Sequence, residues 1–445
     1  MAKLIISNQR TEEMVGDLQI LSPEYREYLG NQAQRMAWSM QEGDVLVLPV
    51  LPGERFLRYV TDLLHIDRGT IEVVVPPAGH YGAGILSRDR LMNEDLLRQL
   101  KHLVASHGIG EIFPFHFDST IAAMAKGLGL DAMTPGFGFL DQGGGKLLNS
   151  KAAFRALAAG AGVAVPEGRV CTTQDEAEEF VWRELLSQGR PAILKQDFHV
   201  AGFGNEIVSP VPGVEPVGAL RTVVATDREE LTKYLAERWY WLTDAGRSPV
   251  VVERYFADSL PLCVEFHLTG QGIELAGHGA MRMQPVLNGH VWPAPAAGLP
   301  AFDPFLREAH ELCTAVHAMG YRGIVSVDAI VTPAQKILIN EFNCRVSGST
   351  HAYHIGERIV GAEFPNGRVL VEQRRCTFPS AVFERLADSG LAYDPVSRTG
   401  VLVTVEDSSA SGGYGEYCIA AENTEQAERM EQALAGLLAQ SERAA

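Results

Sequence analysis

Gly323-Ile-Val-Ser-Val-Asp328-Ala-Ile330 and Lys336-Ile-Leu-Ile-Asn-Glu341-Phe-Asn343-Cys-Arg345 are the stretch on which the fold turns. Both halves alternate apolar and polar residues as strands do, and Thr332-Pro333-Ala334-Gln335 between them supplies a turn, so the pattern predicts a β-hairpin. Side chains in an extended chain repeat every two residues, which puts Glu341, Asn343 and Arg345 on one face. Asp328, Glu341 and the amide oxygen of Asn343 form an all-oxygen donor set suited to Mg²⁺ or Mn²⁺ rather than zinc. An arginine beside such a set can clamp a phosphoryl group and stabilise charge as it transfers. A hairpin whose polar face is merely solvated would show the same spacing. The apolar flank on one side and Val346-Ser347-Gly348-Ser349 on the other weigh against a plain surface edge.

Upstream lie two further signals. Pro191-Ala-Ile-Leu-Lys195 is an apolar strand ending in a lysine, and His199-Val-Ala-Gly-Phe-Gly-Asn205 follows it. Such a lysine can reach a phosphate, and a loop holding Gly202 and Gly204 can bring backbone N–H groups close to it. A surface lysine ahead of a flexible hairpin is the plainer alternative. Pro249-Val-Val-Val-Glu253-Arg254-Tyr255-Phe256 is an apolar strand running into an acidic, basic and aromatic quartet. It reads either as a strand end at the surface or as a hinge between lobes whose backbone meets an adenine edge. The phosphate loop GxxxxGK[ST] is absent, and Gly202-x-Gly204 lacks the third glycine and following helix of a dinucleotide fingerprint. No GxSxG nucleophile signature occurs.

Before residue 140 the runs Leu4–Ile6, Asp44–Pro49, Thr70–Val75 and Glu111–Phe113 read as buried strands, with helical spacing over Met92–Ala105 and Ser119–Leu128. Strand–helix alternation predicts an open, mostly parallel α/β sheet. Asp141-Gln-Gly-Gly-Gly145 looks too rich in glycine for helix or strand and marks a boundary. Asn149-Ser150 then caps a helix over Lys151–Ala159 that Gly160 and Gly162 end. Strand, helix, strand, glycine loop, strand, helix and strand follow to about residue 255. Antiparallel strands around a helix at Pro304–Met319 fill 260–345. The chain closes with strands at Gly400–Glu406 and Glu416–Ala420, a Ser/Gly loop at Asp407–Gly415, and an amphipathic helix at Glu425–Leu438. The division expected is 1–145, 146–255 and 256–445.

With 445 residues, several domains are expected. A net charge of −17 argues against a nucleic-acid backbone as partner, although a few buried cations could still hold a nucleotide. Six scattered cysteines, with no CxxC and no zinc spacing, suit free thiols in a reducing cytoplasm. No apolar run approaches the roughly 18 residues that span a bilayer, and the N-terminal apolar run is too short for a signal peptide. A soluble cytoplasmic protein with no membrane partner is the expectation.

Taken in order, Asn149-Ser150-Lys151 with its Ala-Gly-Val-Ala-Val-Pro166 continuation, Ile193-Leu-Lys195, Val252-Glu253-Arg254-Tyr255-Phe256, Val327-Asp328 and Asn340-Glu341-Phe-Asn343-Cys-Arg345 resemble the ATP-grasp superfamily from Asn149 to about Thr350. The resemblance implies an ATP-grasp fold behind a Rossmann-like pre-ATP-grasp domain. It implies ATP held at its phosphates by Lys151 and Lys195, with the Gly202–Gly204 loop closing over it and Glu253 to Phe256 at adenine. Asp328, Glu341 and Asn343 would carry the divalent ions, and Arg345 would sit at the transferring phosphoryl. The carboxylate that many relatives place past the hinge for the ribose has only Asp258 as a candidate here, and Cys344 stands where proline is common. Glu265 and Arg282 lie on strands that line the site in relatives, and no motif fixes their roles. Arg282 is the candidate partner of Arg345 for the acid substrate, and His199 the candidate to shield or deprotonate an amine.

The implied reaction is ATP-dependent joining of a carboxylate to an amine through an acyl phosphate. Within the superfamily the chain is similar to peptide ligases of bacterial natural-product pathways, which implies a modified or N-blocked amino acid as donor, a peptide amine as acceptor, and a homodimer. The overall acidity hints at tolerance for basic substrates. The alternatives are a ligase of small metabolites, an ATP-binding module without turnover, and, behind both, a nicotinamide dehydrogenase.

Overall fold

The computed structural model describes residues 2–442 apart from 362–363, 365–366, 380 and 408–412; the side chains of 20 and 440–442 are likewise outside it. The Ser/Gly loop expected over Asp407–Gly415 falls mostly on residues outside the described ones. Three sheets carry the chain.

The first sheet consists of β1 (Lys3–Ile6), β2 (Val45–Val47), β3 (Glu72–Val74) and β4 (Glu111–Pro114), in the order β3-β2-β1-β4, all parallel. Leu4, Ile6, Val45 and Val47 point to a layer containing Leu96, Leu100, Ile121 and Met124 of the helices Glu94–His107 and Ser119–Leu128. Ile5 and Leu46 point the other way. Burial on both faces is what makes these strands continuously apolar in sequence.

The second sheet is β5 (Gly168–Cys171), β6 (Ala192–Gln196), β7 (Asn205–Ser209), β8 (Thr222–Val224) and β9 (Val250–Arg254), in the order β5-β9-β6-β7-β8. Its pairs are antiparallel except β7 with β8. Ala192, Leu194, Val250 and Val252 pack on the helix Arg228–Leu242 and the turn of helix beginning at Gln174, whereas Ile193 and Lys195 turn to the opposite face.

The third sheet has eight antiparallel strands ordered β14-β13-β10-β11-β12-β15-β17-β16. These are β10 (Leu260–Leu268), β11 (Ile273–Met283), β12 (Leu287–Trp292), β13 (Gly323–Val331), β14 (Ile337–Asn343), β15 (Val369–Phe378), β16 (Gly400–Glu406) and β17 (Gly413–Ala421). Leu262, Val264, Phe266, Val325, Val327 and Ala329 bury one face under the helices Lys151–Ala161 and Phe302–Ala318. Alternation then sends Cys263, Ser326, Asp328 and Ile330 to the face that meets the second sheet.

Two expectations about glycine need correction. Asp141–Gly145 is not an open linker: short helices occupy Phe137–Asp141 and Gly144–Leu147. A Cβ on Gly145 would sit 2.1 Å from the Phe117 carbonyl oxygen, and one on Gly144 would sit 2.2 Å from the Phe139 ring, so close packing fixes these glycines. Gly160 does not end its helix, which runs to Ala161; Gly162, at φ 71°, is the left-handed cap.

Candidate active site

The Asp328–Glu341 pair lies at the centre of a cleft between the second and third sheets. β13 and β14 form the expected hairpin, closed by Gln335 N–H donating to the Thr332 carbonyl at 2.8 Å. Asp328 pairs with Glu341, but Ala329 pairs with Ile339, so Asn340 is an extra residue in β14. This bulge lets two consecutive side chains, Asn340 and Glu341, line the cleft together with Asn343 and Arg345. Strict alternation would have sent Asn340 away.

Asn343 Nδ2 donates to Asp328 Oδ2 at 3.0 Å, leaving Asn343 Oδ1 to accept from Arg345 Nη2 at 2.6 Å. Arg345 Nε donates to Asn149 Oδ1 at 3.2 Å. Burial brings the Arg345 pKa down to about 10, and burial beside Glu341 pushes Asp328 up to about 7. Two carboxylates crowded in this way form a cradle of hard oxygen donors with excess negative charge, which fits a divalent cation of the Mg²⁺ or Mn²⁺ kind. Asn340 Oδ1, in the cleft, and Asn149 Nδ2, beside Arg345, are buried with no protein hydrogen-bond partner among the described residues.

Two buried lysines approach this set. Lys195 Nζ lies 2.6 Å from Glu253 Oε2 and 3.4 Å from the Asn340 carbonyl oxygen. Lys151 Nζ lies 3.4 Å from Glu341 Oε1 and donates to the His199 carbonyl at 2.9 Å. Asp197, which the sequence reading passed over, ties the two together. Its carboxylate accepts from Ser150 Oγ and Ala152 N–H, both at 2.8 Å, and its carbonyl accepts from Lys151 N–H. Lys151 does not itself line the cleft; it stands behind Glu341.

At the hinge, Glu253 is buried between Lys195 and Arg155, whose Nη1 is 2.5 Å away, so its side chain is committed to two cations. Arg254 lies over the Phe256 ring at 4.4 Å, and Tyr255 packs with Ile193, Ile207 and Ala219. All four hinge residues line the cleft. The glycine loop covers it: Val200 to Phe203 line the space, and Gly202 has φ 86° with the Gly218 carbonyl 2.9 Å from where a Cβ would be. Gly204 faces His199 instead, where a Cβ would approach the His199 Cβ to 2.4 Å.

Besides Lys151 and Gly204, four further candidates are placed off the cleft. Arg282 does not point into the cleft; its β11 neighbours Met281 and Met283 do, and Arg282 pairs with Glu431 of the C-terminal helix at 2.6 Å. Asp258 is exposed at φ 58° in the turn before β10, where Ser259 rather than Asp258 reaches the cleft. Glu265 is buried beneath the 347–350 loop, accepting from Ser347 Oγ at 3.1 Å and Thr350 Oγ1 at 2.7 Å. His199 is held at a pKa of about 3 by burial and by Lys151, with Nδ1 already accepting from Val200 N–H, so it is a weak base.

The far end of the cleft was not foreseen. Arg374 and Arg375 enter it from a bulge in β15, beside His290, Tyr25, Tyr28 and Arg35. Glu372 holds His290 Nδ1 at 2.7 Å and Arg374 at 3.0 Å, while Glu416 takes Arg35 Nε at 2.5 Å. His351, Glu372 and Glu416 come close enough together to suggest a metal, but Arg35 and Arg374 already balance the two carboxylates. Nothing in the local sequence around residue 374 marks this end, because it brings Tyr25, Tyr28 and Arg35, from near the start of the chain, against Arg374 and Arg375.

Residues 33–130 match the model of the Pre ATP-grasp domain family, and residues 381–434 match that of the PGM1 C-terminal domain. The L-propargylglycine–L-glutamate ligase of Streptantibioticus cattleyicolor is 24% identical over 383 residues, covering 78% of this chain and 74% of that protein. Among solved structures, the N5-carboxyaminoimidazole ribonucleotide synthetase of Thermus thermophilus superposes with a TM-score of 0.58 at 14% identity, covering 98% of each chain. The L-amino acid ligase of Bacillus licheniformis gives 0.53 at 13%, covering 98% of this chain and 97% of that one. The biotin carboxylase domain of Hydrogenobacter thermophilus 2-oxoglutarate carboxylase, solved with MgADP, gives 0.55 at 12%, covering 94% and 86%. The chain has the ATP-grasp fold, with a parallel pre-ATP-grasp sheet ahead of the two antiparallel-type sheets. No helix among the described residues is long and apolar enough to cross a membrane.

Proposed function

On the ATP-grasp fold as premise, we propose that this chain is an ATP-dependent carboxylate–amine ligase working through an acyl phosphate. The observation that carries the reading is the convergence of Asp328, Glu341, Asn343 and Arg345 with Lys195 and the Glu253–Phe256 hinge on one cleft. In this reading Lys195 neutralises ATP phosphates, Lys151 steadies Glu341 from behind, and residues 253–256 with Ile193 hold the base. Asp328, Glu341 and Asn343 would hold Mg²⁺ or Mn²⁺, which when bound supplies charge neutralisation among the phosphates.

A carboxylate oxygen of the acid attacks the γ-phosphorus of ATP, the bond to ADP breaks, and Arg345 stabilises the charge on the transferring phosphoryl. The amine then attacks the acyl carbon, phosphate leaves, and the nitrogen loses its proton. Positioning and electrostatics supply the rate in such transfers, which is consistent with a site of cations and carboxylates.

The finer reading is a peptide ligase of natural-product biosynthesis, joining a modified or N-blocked amino acid to a peptide's amine. The sequence resembles the peptide ligase of pheganomycin biosynthesis, and the PGM1 C-terminal domain match supports that placing. A dipeptide-forming reading is supported by the curated relative, whose name joins two amino acids. ADP release over a matrix of acids and amines, with mass spectrometry of products, tests the proposal. The expected result is Mg²⁺-dependent ADP formation that needs both partners and yields the amide. ADP formation that never responds to an acid would contradict it, and the acceptors consumed separate peptide from single-amino-acid ligation.

A further inference from the structure

The charges at the far end of the cleft do not cancel. Arg35 is matched by Glu416 and Arg374 by Glu372. Arg375 has no acidic partner among the described residues. Its guanidinium stands over the rings of Tyr28 at 5.6 Å and Phe203 at 5.4 Å. Arg375 is exposed and lines the cleft, with φ 55°, a left-handed backbone that non-glycine residues seldom adopt. The cause is the bulge: Gln373 pairs with Tyr417 and Cys376 with Gly415, so Arg374 and Arg375 together face Glu416. A regular strand would send one of the two away from the cleft. Arg10 is a further cation of the cleft, with its contact at the Gln9 carbonyl at 2.8 Å, and stands close enough to Arg345 and His199 to lower the pKa of both. The protein is acidic as a whole, yet this end of its cleft is locally basic.

We propose that Arg375 is a specificity-determining residue that binds a carboxylate of the amine substrate, away from the bond being made. The inference rests on the ligase reading. A planar fork above two aromatic faces keeps its N–H edge free for bidentate recognition of a carboxylate. The acid's reacting carboxylate belongs at the opposite end, by Arg345 and the metal ligands. Arg374 Nη2 donates to the Gly348 carbonyl at 2.7 Å, and Gly348 is three residues from Arg345, a reach of roughly 11 Å at most. The Arg375 end therefore suits an amino acid or short peptide with a free C-terminus or acidic side chain.

The test compares wild type, R375Q and R375K with L-alanine, L-glutamate and dialanine as amines, each as free acid and as C-terminal amide. For accepted free acids, R375Q is expected to raise KM about tenfold or more with kcat little changed, and R375K to recover part of it. KM for the amides of L-alanine and dialanine, which carry no carboxylate, should not move, whereas L-glutamate amide keeps its side-chain carboxylate and reports whether that group is the one held. Equal losses for acids and amides would make Arg375 a latch on the Phe203 loop and overturn the proposal, as would no change in either. Wild type forming no amide with any amine, and no acid-dependent ADP, would overturn the ligase reading and this inference with it.

Discussion

At the residue scale, the charges of the cleft gather around Arg345, Asp328 and Glu341. Arg345 is buried, donates to the neutral amides of Asn343 and Asn149, and lies near the Glu341 and Asp328 carboxylates. Arg345→Ala should lower amide formation by about 10²–10³, the cost of losing one preorganised charge at a transferring group. ATP affinity should hold, because Lys195 and the hinge remain; paired turnover and nucleotide-binding measurements check this. Asp118 offers a pH test outside the cleft. It caps the helix Ser119–Leu128 by accepting from Ile121 N–H at 2.9 Å, yet burial raises its pKa to about 6. A carboxyl whose folded pKa exceeds its unfolded value destabilises the fold above the folded pKa, and that penalty disappears below the unfolded one. Asp118→Asn keeps a cap without the charge. Thermal denaturation should show it about 1–2 kcal/mol more stable at pH 8, with the advantage shrinking as pH falls from 6 towards 4.

At the element scale, the hairpin was legible as alternation, and the strands ending at Lys195 and Arg254 as short continuous apolar runs. What escaped was geometry that breaks the period. The Asn340 bulge recruits a residue that alternation assigns to the wrong face, and the β15 bulge does the same for the Arg374–Arg375 pair. Arg282 fails for the converse reason: its strand was right, but Met281 and Met283 take the cleft side. Glycine was misread wherever contact rather than flexibility required it. Gly145→Ala would drive a Cβ into the Phe117 carbonyl, a backbone atom that cannot step aside. A loss of about 2–3 kcal/mol in chemical denaturation is expected, although Gly145 lies in a short helix that alanine would otherwise favour.

At the scale of the whole molecule, the end of the chain closes back on its beginning. Arg35 reaches Glu416 through Nε at 2.5 Å and Nη2 at 2.6 Å, Trp38 Nε1 donates to the Thr404 carbonyl at 3.0 Å, and one apolar core runs from Ile5 to Ala420. No sequence window could show this, since the partners lie some 380 positions apart. Arg35→Ala would strand Glu416, and with it part of Glu372, as uncompensated buried charge. A loss of about 3–5 kcal/mol, read as a fall in Tm, is the expected outcome. The same closure builds the far wall of the cleft, so the order of motifs shows the Lys195 and Glu341 end of the cleft while the Arg374–Arg375 end needs the fold.

The central claim is that the acid is activated as an acyl phosphate in the cleft of Asp328, Glu341, Asn343 and Arg345. It is tested most directly by supplying an accepted acid labelled with ¹⁸O in both carboxylate oxygens and weighing the products of one round of ligation. Transfer through an acyl phosphate predicts one labelled oxygen in the released inorganic phosphate, one in the amide, and unlabelled ADP. Label in AMP, or unlabelled phosphate beside a correctly formed amide, would contradict it.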